Sequence, residues 1–223
     1  MSTLPKLLSL ATAVPPHVLH QEAVTAAAAG LFGGPQGGFA ADRLAQIFAN
    51  TRIERRHSCV PLDWYLQPHS FRERNELYLE HAVGLLEQAA DDALARAGLD
   101  AADIDLLVTV SSSGIATPSL DARLMERLPF RRDVARLPVF GLGCAGGVLG
   151  LARAAALARG NPGSRALLLV VELCGLTFRH ADRSKSNLIA AALFGDGAAG
   201  AVVSSVTAVA VVSVVLPAIS VSR

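Results

Sequence analysis

The stretch Leu137-Pro-Val-Phe-Gly-Leu-Gly-Cys-Ala-Gly-Gly-Val-Leu-Gly-Leu-Ala-Arg153 constrains this chain more than any other. The apolar run Leu137 to Leu142 reads as a buried strand; it breaks at Gly143 and restarts as an Ala/Leu-rich helix over about Gly147 to Arg159. Cys144 stands at the junction, just before a helix whose first turn carries unpaired N–H groups and a positive dipole end. A thiol at such a place loses its proton more readily, and the thiolate is the reactive species. Gly143, Gly146 and Gly147 are expected to leave the backbone around the sulfur open to a substrate carbonyl. A glycine-rich turn carrying an inert, buried cysteine fits the same residues. A phosphate loop of the Gly-Lys-Ser/Thr kind does not, because no Gly-Lys-Ser/Thr follows.

The segments around this stretch alternate between strand and helix patterns. Leu7 to Val14 reads as a first strand ended by Pro15-Pro16, His20 to Ala29 as a helix, Gly30 to Gly38 as a flexible loop, and Ala41 to Asn50 as a short amphipathic helix. Trp64, Tyr65 and Pro68 fall in irregular chain, and Glu73 to Ala97 has the clearest helical spacing, stopped by Gly98. Ile104 to Val110 and Ala166 to Val171 are nearly continuous apolar runs, suited to strands covered on both faces. Thr117-Pro118 leads into a helix expected to run through Leu128, and Leu193-Phe-Gly-Asp-Gly197 turns into a strand over Ala198 to Val203. Strands separated by helices in this order indicate an α/β layer architecture.

Composition narrows the partners. The 223 residues carry a formal net charge of +1, which gives no reason to expect nucleic acid or an anionic membrane. The basic segment Thr51 to His57 either holds an anionic ligand or forms a solvated charged face. Three cysteines far apart make no disulfide framework and suit a reducing cytosol. The N-terminus lacks the pattern of a secretion signal, so the expected location is the cytoplasm. Gly197 to Ser222 is uncharged and long enough to span a bilayer, but its Val, Ser and Pro content favours two strands.

Four motifs then align in order and spacing: Gly141-Leu-Gly-Cys-Ala-Gly-Gly147, Asn161-Pro-Gly163, Glu172-Leu-Cys-Gly-Leu-Thr-Phe178 and Ala192-Leu-Phe-Gly-Asp-Gly-Ala-Ala199. Together they resemble the type III polyketide synthases, the chalcone-synthase-like enzymes of the thiolase superfamily. The resemblance implies a thiolase-like layered α/β/α fold, here its N-terminal half, with a mixed sheet flanked by helices and a buried nucleophile helix. It also implies loading of an acyl-CoA starter on Cys144 and extension by decarboxylative condensation with malonyl-CoA, with no other cofactor and no metal. Phe194 matches the gatekeeping phenylalanine, and Ser112, Ser113, Cys174 and Thr177 match cavity-lining positions. Thr117 matches a residue that crosses a homodimer interface, and Arg43 loosely matches a receiver of CoA phosphates.

The family also uses a histidine and an asparagine from its C-terminal half. None of His17, His20, His57, His69, His81 and His180 lies in a matching segment. The expectation is therefore a truncated representative, with residues 1–205 as the N-terminal domain and 206–223 as an atypical apolar tail. A ketoacyl-ACP synthase III-like enzyme and an inactive dimerisation or acyl-binding remnant are the alternatives. Without the resemblance, Phe194 reads as core packing, Asp196 as a turn residue, Cys59 as incidental, and His180 and Asp182 as surface loop.

Overall fold

The computed structural model describes residues 4–33 and 38–205. Its elements are β1 (Lys6–Ala13), β2 (His17–His20), α1 (Gln21–Phe32), α2 (Ala41–Asn50), β3 (Arg55–Ser58), α3 (Phe71–Ala97) and β4 (Leu106–Ser111). They continue with α4 (Leu120–Leu124), β5 (Ala135–Phe140), α5 (Gly146–Gly160), β6 (Arg165–Leu173), α6 (Lys185–Leu193) and β7 (Asp196–Ser204). The described chain divides into two compact units, residues 4–13, 79–172 and 197–205 in one and residues 14–33, 38–78 and 173–196 in the other.

The first unit is built on a five-stranded sheet in the order β1-β7-β6-β4-β5. β4 runs parallel to both β5 and β6, with Val108 opposite Leu137 on one side and Leu168 on the other. β1 runs antiparallel to β7, so the sheet is mixed. Every residue of β4 is buried, as its continuous apolar run requires of a central strand. One sheet face packs Val108, Val110, Leu168 and Ala201 against Ala154 and Ala158 of α5. The opposite face meets α3 and α4: Ser9 Oγ donates to the Ala93 carbonyl at 2.7 Å, and Thr109 Oγ donates to Asp121 Oδ1 at 3.3 Å. The buried Asp121 carboxylate also receives Arg136 Nη1 at 2.9 Å, which compensates its loss of water.

α5 approaches the sheet closely because its inner stripe is Gly146, Gly150, Ala154 and Ala158, spaced one turn apart. A methyl on Gly146 would lie 2.9 Å from Val110 Cγ1, and one on Gly150 would lie 2.9 Å from both Val110 Cγ2 and Leu168 Cδ1. The helix expected to be buried is fully buried along this stripe, with Ala155 and Leu157 partly buried beside it, and Val148, Leu149 and Leu151 are exposed in this chain. The expected buried strand over Leu137 to Leu142 also differs. β5 is a sheet edge, starts at Ala135 and has Phe140 67% exposed. Pro138, which has no N–H for a ladder, is tolerated because, among the described residues, β5 is paired on one side alone.

The second unit pairs β2 with β3 in an antiparallel ribbon, Leu19 opposite Arg56. Its core joins Ala28 and Phe32 of α1, Leu44 and Phe48 of α2, and Leu188 and Ala192 of α6. Burying each phenylalanine contributes about 1.5–3 kcal/mol. That burial explains why α1 runs on to Phe32 instead of ending near Ala29, with its last turn taking the start of the expected loop. α3 likewise starts at Phe71, two residues before the expected Glu73. Ser70 and Glu73 bond each other's backbone N–H groups at 3.2 and 2.7 Å, a capping box that fixes the helix start.

The helix expected to reach Leu128 ends at Leu124 and gives way to turns. The 206–223 tail and the second of the two strands expected there lie outside the described residues. Among the described residues, no helix is long and apolar enough to cross a membrane.

Candidate active site

The candidate residues fall in both units, and each set is built within its own. In the first unit, β5 leads through Gly141 (φ 85°) into a single 3₁₀ turn, Gly143–Ala145, that runs directly into α5. Gly143 has φ 53°, a left-handed conformation that a side chain would strain. Cys144 is exposed at this turn, one residue before Ala145 and the first turn of a 15-residue helix. Ser112, just past the end of β4, accepts the Gly143 N–H on its Oγ at 3.0 Å. The strand next to β5 therefore holds the turn that carries the thiol. Gly147 leaves open space, as expected, whereas Gly146 is required by packing on Val110 and does not serve access to the sulfur.

Ser113 is half-buried beside Ser112, and Thr117 is exposed in the loop that follows. The Thr117 carbonyl accepts Arg123 Nη2 at 3.2 Å, and the Thr117–Pro118 peptide is cis. Ser112 thus bonds the turn that carries Cys144.

In the second unit, Cys174, Thr177 and Phe194 line one cavity. Its walls are mostly apolar: Leu19, Val24, Leu31, Phe32, Tyr65 and Phe178 contribute, along with alanines of α1 and α6. Aromatic rings meet edge to face along it, Phe32 with Phe178 at 6.3 Å and Phe178 with Tyr65 at 6.0 Å. Tyr65 belongs to a 3₁₀ turn over Leu62–Leu66, where the sequence suggested only irregular chain. In that turn Trp64 stacks on the His69 ring at 3.9 Å and meets Tyr65 edge-on at 5.2 Å.

Polar groups behind the cavity wall fix its shape. Asp196, read from sequence as a turn residue, accepts the Gly175 N–H on Oδ1 at 2.7 Å and the Cys59 N–H on Oδ2 at 2.9 Å. Ser58 Oγ and the Tyr65 hydroxyl lie 2.8 Å apart in hydrogen-bond contact. Burial first, and then the nearby Asp196 carboxylate, push both the Cys59 thiol and the Tyr65 phenol well above their usual ranges. Cys59 is thus buried and held protonated, which fits a structural or incidental cysteine. Asp182 and His180 act in local loop bonding: Asp182 Oδ1 accepts the Ser184 N–H at 2.8 Å, and the His180 carbonyl accepts Arg183.

Arg56 departs from both expectations for the basic segment, since it neither faces solvent nor stands ready for an anion. It is 9% exposed, and its guanidinium donates to the carbonyls of Ala191, Ala192 and Phe194 and to the Gln21 amide oxygen. Burial pushes its pKa below the usual arginine value. Sequence reading missed it because in Arg55-Arg56-His57 only strand alternation turns the middle residue inward. Arg43 is exposed on α2 and does not line the cavity. Among the described residues, no group of three His, Cys, Asp or Glu side chains is placed to hold a metal ion.

Comparison with known proteins supplies what geometry alone does not. The family described as chalcone and stilbene synthases, N-terminal domain, matches residues 2–207. A 1,3,6,8-tetrahydroxynaphthalene synthase of Streptomyces peucetius subsp. caesius is 46% identical over 193 residues, which is 86% of this chain and 50% of the relative. A putative chalcone synthase of Bacillus subtilis is 39% identical over 201 residues, 87% of this chain and 54% of the relative. The crystal structure of a 1,3,6,8-tetrahydroxynaphthalene synthase from Streptomyces coelicolor, a bacterial type III polyketide synthase, superposes with a TM-score of 0.82 at 32% identity. It covers 89% of this chain and 56% of that one. The chain spans about half the length of these relatives.

Proposed function

The chain belongs to the chalcone and stilbene synthases, and from that premise we propose that Cys144 is the acyl-accepting nucleophile of a type III polyketide synthase. The observation that carries this reading is the exposed Cys144 thiol on a glycine turn at the start of α5, tied to β4 through Ser112.

In the proposed reaction the Cys144 thiolate attacks the thioester carbonyl of an acyl-CoA starter. A new carbon–sulfur bond forms, and CoA departs as its thiolate. Malonyl-CoA then loses carbon dioxide, and the electron pair left on its α-carbon attacks the acyl carbonyl. The Cys144 thiolate is expelled, and the extended chain remains on CoA for another round. Cyclisation yields a pyrone- or resorcinol-type ring. Donors to the enolate and the tetrahedral oxyanion are required; the family resemblance assigns that work to a histidine and an asparagine beyond the residues present here.

Within this reading Phe194, Cys174 and Thr177 form part of the wall that accepts the acyl chain, and their shared cavity supports that assignment. Ser112 and Ser113 belong to the same unit as Cys144, and Arg43 would meet a CoA phosphate from its exposed place on α2. Thr117 would reach a second copy in a homodimer. The substrates are the two CoA thioesters, with no further cofactor, and the proposed location is the cytoplasm. The family match and the tetrahydroxynaphthalene synthase relative weigh against a ketoacyl-ACP synthase III-like enzyme.

Loading is the step these residues address, and it has a direct test. The purified chain is incubated with a fatty acyl-CoA, alongside Cys144→Ala, and both intact masses are measured. One acyl group on the wild type and none on the variant is the expected result. A folded wild type that stays unmodified would remove acyl loading from this chain and favour the remnant reading.

A further inference from the structure

We propose that Arg56 is a positioning residue for Phe194, and that through Phe194 it sets how far the cavity of the second unit opens. α6 ends at Leu193, and Phe194 is extended, with φ −82° and ψ 146°. The last carbonyls of a helix have no partner within it. Here Arg56 Nη1 donates to Ala191 O at 2.7 Å and Phe194 O at 2.8 Å, while Nη2 donates to Ala192 O at 2.7 Å and to the Gln21 amide oxygen. Gln21 Nε2 adds a bond to Ala192 O at 3.1 Å. All the acceptors are neutral oxygens, three of them in the segment that carries Phe194.

The segment after Phe194 is fastened to the same part of the chain. A methyl on Gly195 would lie 3.2 Å from Arg56 Cβ and 3.4 Å from the His57 carbonyl oxygen, and Asp196 accepts the Cys59 N–H. β3 and the residue just after it therefore hold the chain on both sides of Phe194. The Phe194 side chain lines the cavity and is 39% exposed, so its direction is governed by the backbone beneath it. The guanidinium serves four acceptors from two nitrogens held at fixed spacing, which the single nitrogen of a lysine ammonium cannot reproduce. Under the reading above, the opening that Arg56 sets is the one an acyl chain would use.

Cys174 lines the same cavity and reports on its opening. In a Cys144→Ser background Cys59 is buried and protonated, so Cys174 is the thiol that meets an apolar reagent. The rate of its alkylation by N-phenylmaleimide is followed by intact mass, with circular dichroism and melting as folding controls. Arg56→Lys should speed alkylation roughly fivefold, Phe194→Ala should do the same, and the two together should be non-additive, within about twofold of either alone. A folded Arg56→Lys at the background rate would overturn the proposal. So would an Arg56→Lys effect that persists in full on top of Phe194→Ala, because the arginine would then loosen the unit without acting through the phenylalanine.

Should Arg56→Lys fail to fold, Gly195→Ala presses on the same segment without changing charge. It should accelerate alkylation, and its failure to do so overturns the proposal. Alkylation needs no acyl transfer. A chain that does not self-acylate sinks the polyketide reading and leaves the role of Arg56 standing, whereas an unchanged alkylation rate sinks that role alone.

Discussion

Ser112 and Gly143 are joined across two neighbouring strand ends, the serine hydroxyl oxygen accepting the glycine N–H at 3.0 Å. This bond fixes the turn from which Cys144 projects. The family resemblance matches Ser112 to a cavity-lining position; in the structure its hydroxyl holds the Gly143 turn. Ser112→Ala should cost about 1 kcal/mol of stability, the net worth of one hydrogen bond. Its effect on acyl loading should be larger, on the order of a tenfold loss, because small misplacements of a nucleophile are costly. Loading rates from a fatty acyl-CoA series, set beside urea melts, check both numbers. Loading at the wild-type rate would detach the hydroxyl from the nucleophile.

Two glycines on α5 should respond in opposite directions. Gly150→Ala drives a methyl to within 2.9 Å of Val110 and Leu168. It should destabilise the chain by about 1–3 kcal/mol through overpacking. Gly147→Ala meets nothing within 4 Å. It should stabilise by up to about 1 kcal/mol, the helix preference of alanine over glycine. Urea denaturation of the two variants gives the order, and a reversed order would contradict the close seat of α5 on the sheet.

The Asp196 carboxylate spends one oxygen on Gly175 and the other on Cys59. Asp196→Asn replaces one acceptor by an NH₂ that faces an N–H, leaving a buried donor without a partner. The expected loss is roughly 2–3 kcal/mol. Denaturant midpoints at neutral pH measure it, and a change below the error of the method would show that the wall holds without this carboxylate.

Alkali should unfold the chain earlier than its net charge alone suggests. Burial and the Asp196 carboxylate raise the folded Cys59 thiol and Tyr65 phenol above their ordinary values of about 9 and 10. The unfolded chain therefore loses these protons while the folded chain keeps them. Stability is fully present below pH about 9 and falls as pH rises beyond it, by up to about 1.4 kcal/mol per pH unit for each group. Melting temperatures from pH 8 to about 11 should fall more steeply in the wild type than in Tyr65→Phe, which removes one of the two groups. Parallel curves would argue against a buried, protonated phenol.

Much of the first unit was legible because its signals are local. The apolar runs that became β4 and β6, and the long periodic pattern of α3, need no knowledge of their neighbours. Cys144 was found from the glycine break between strand and helix patterns, which the structure resolves into a 3₁₀ turn. β5 was misjudged as buried because an apolar run does not say how many neighbours it has, although Pro138 marked it as an edge. Gly146 was assigned to substrate access because its need, contact with Val110, comes from a strand far away in sequence. Arg56 was hidden for a related reason: a charged triplet looks the same whether it faces solvent or caps a helix end that has yet to fold against it.

Trp64 is the chain's one tryptophan, and it sits face to face with His69 and edge-on to Tyr65, a residue of the cavity wall. Red-edge ultraviolet excitation therefore lights a single, known place in the molecule. Excitation absorbed by Tyr65 passes efficiently to an indole only 5.2 Å away. A guest that settles against the phenol ring changes the colour and strength of the emitted light, a signal that needs neither a label nor turnover.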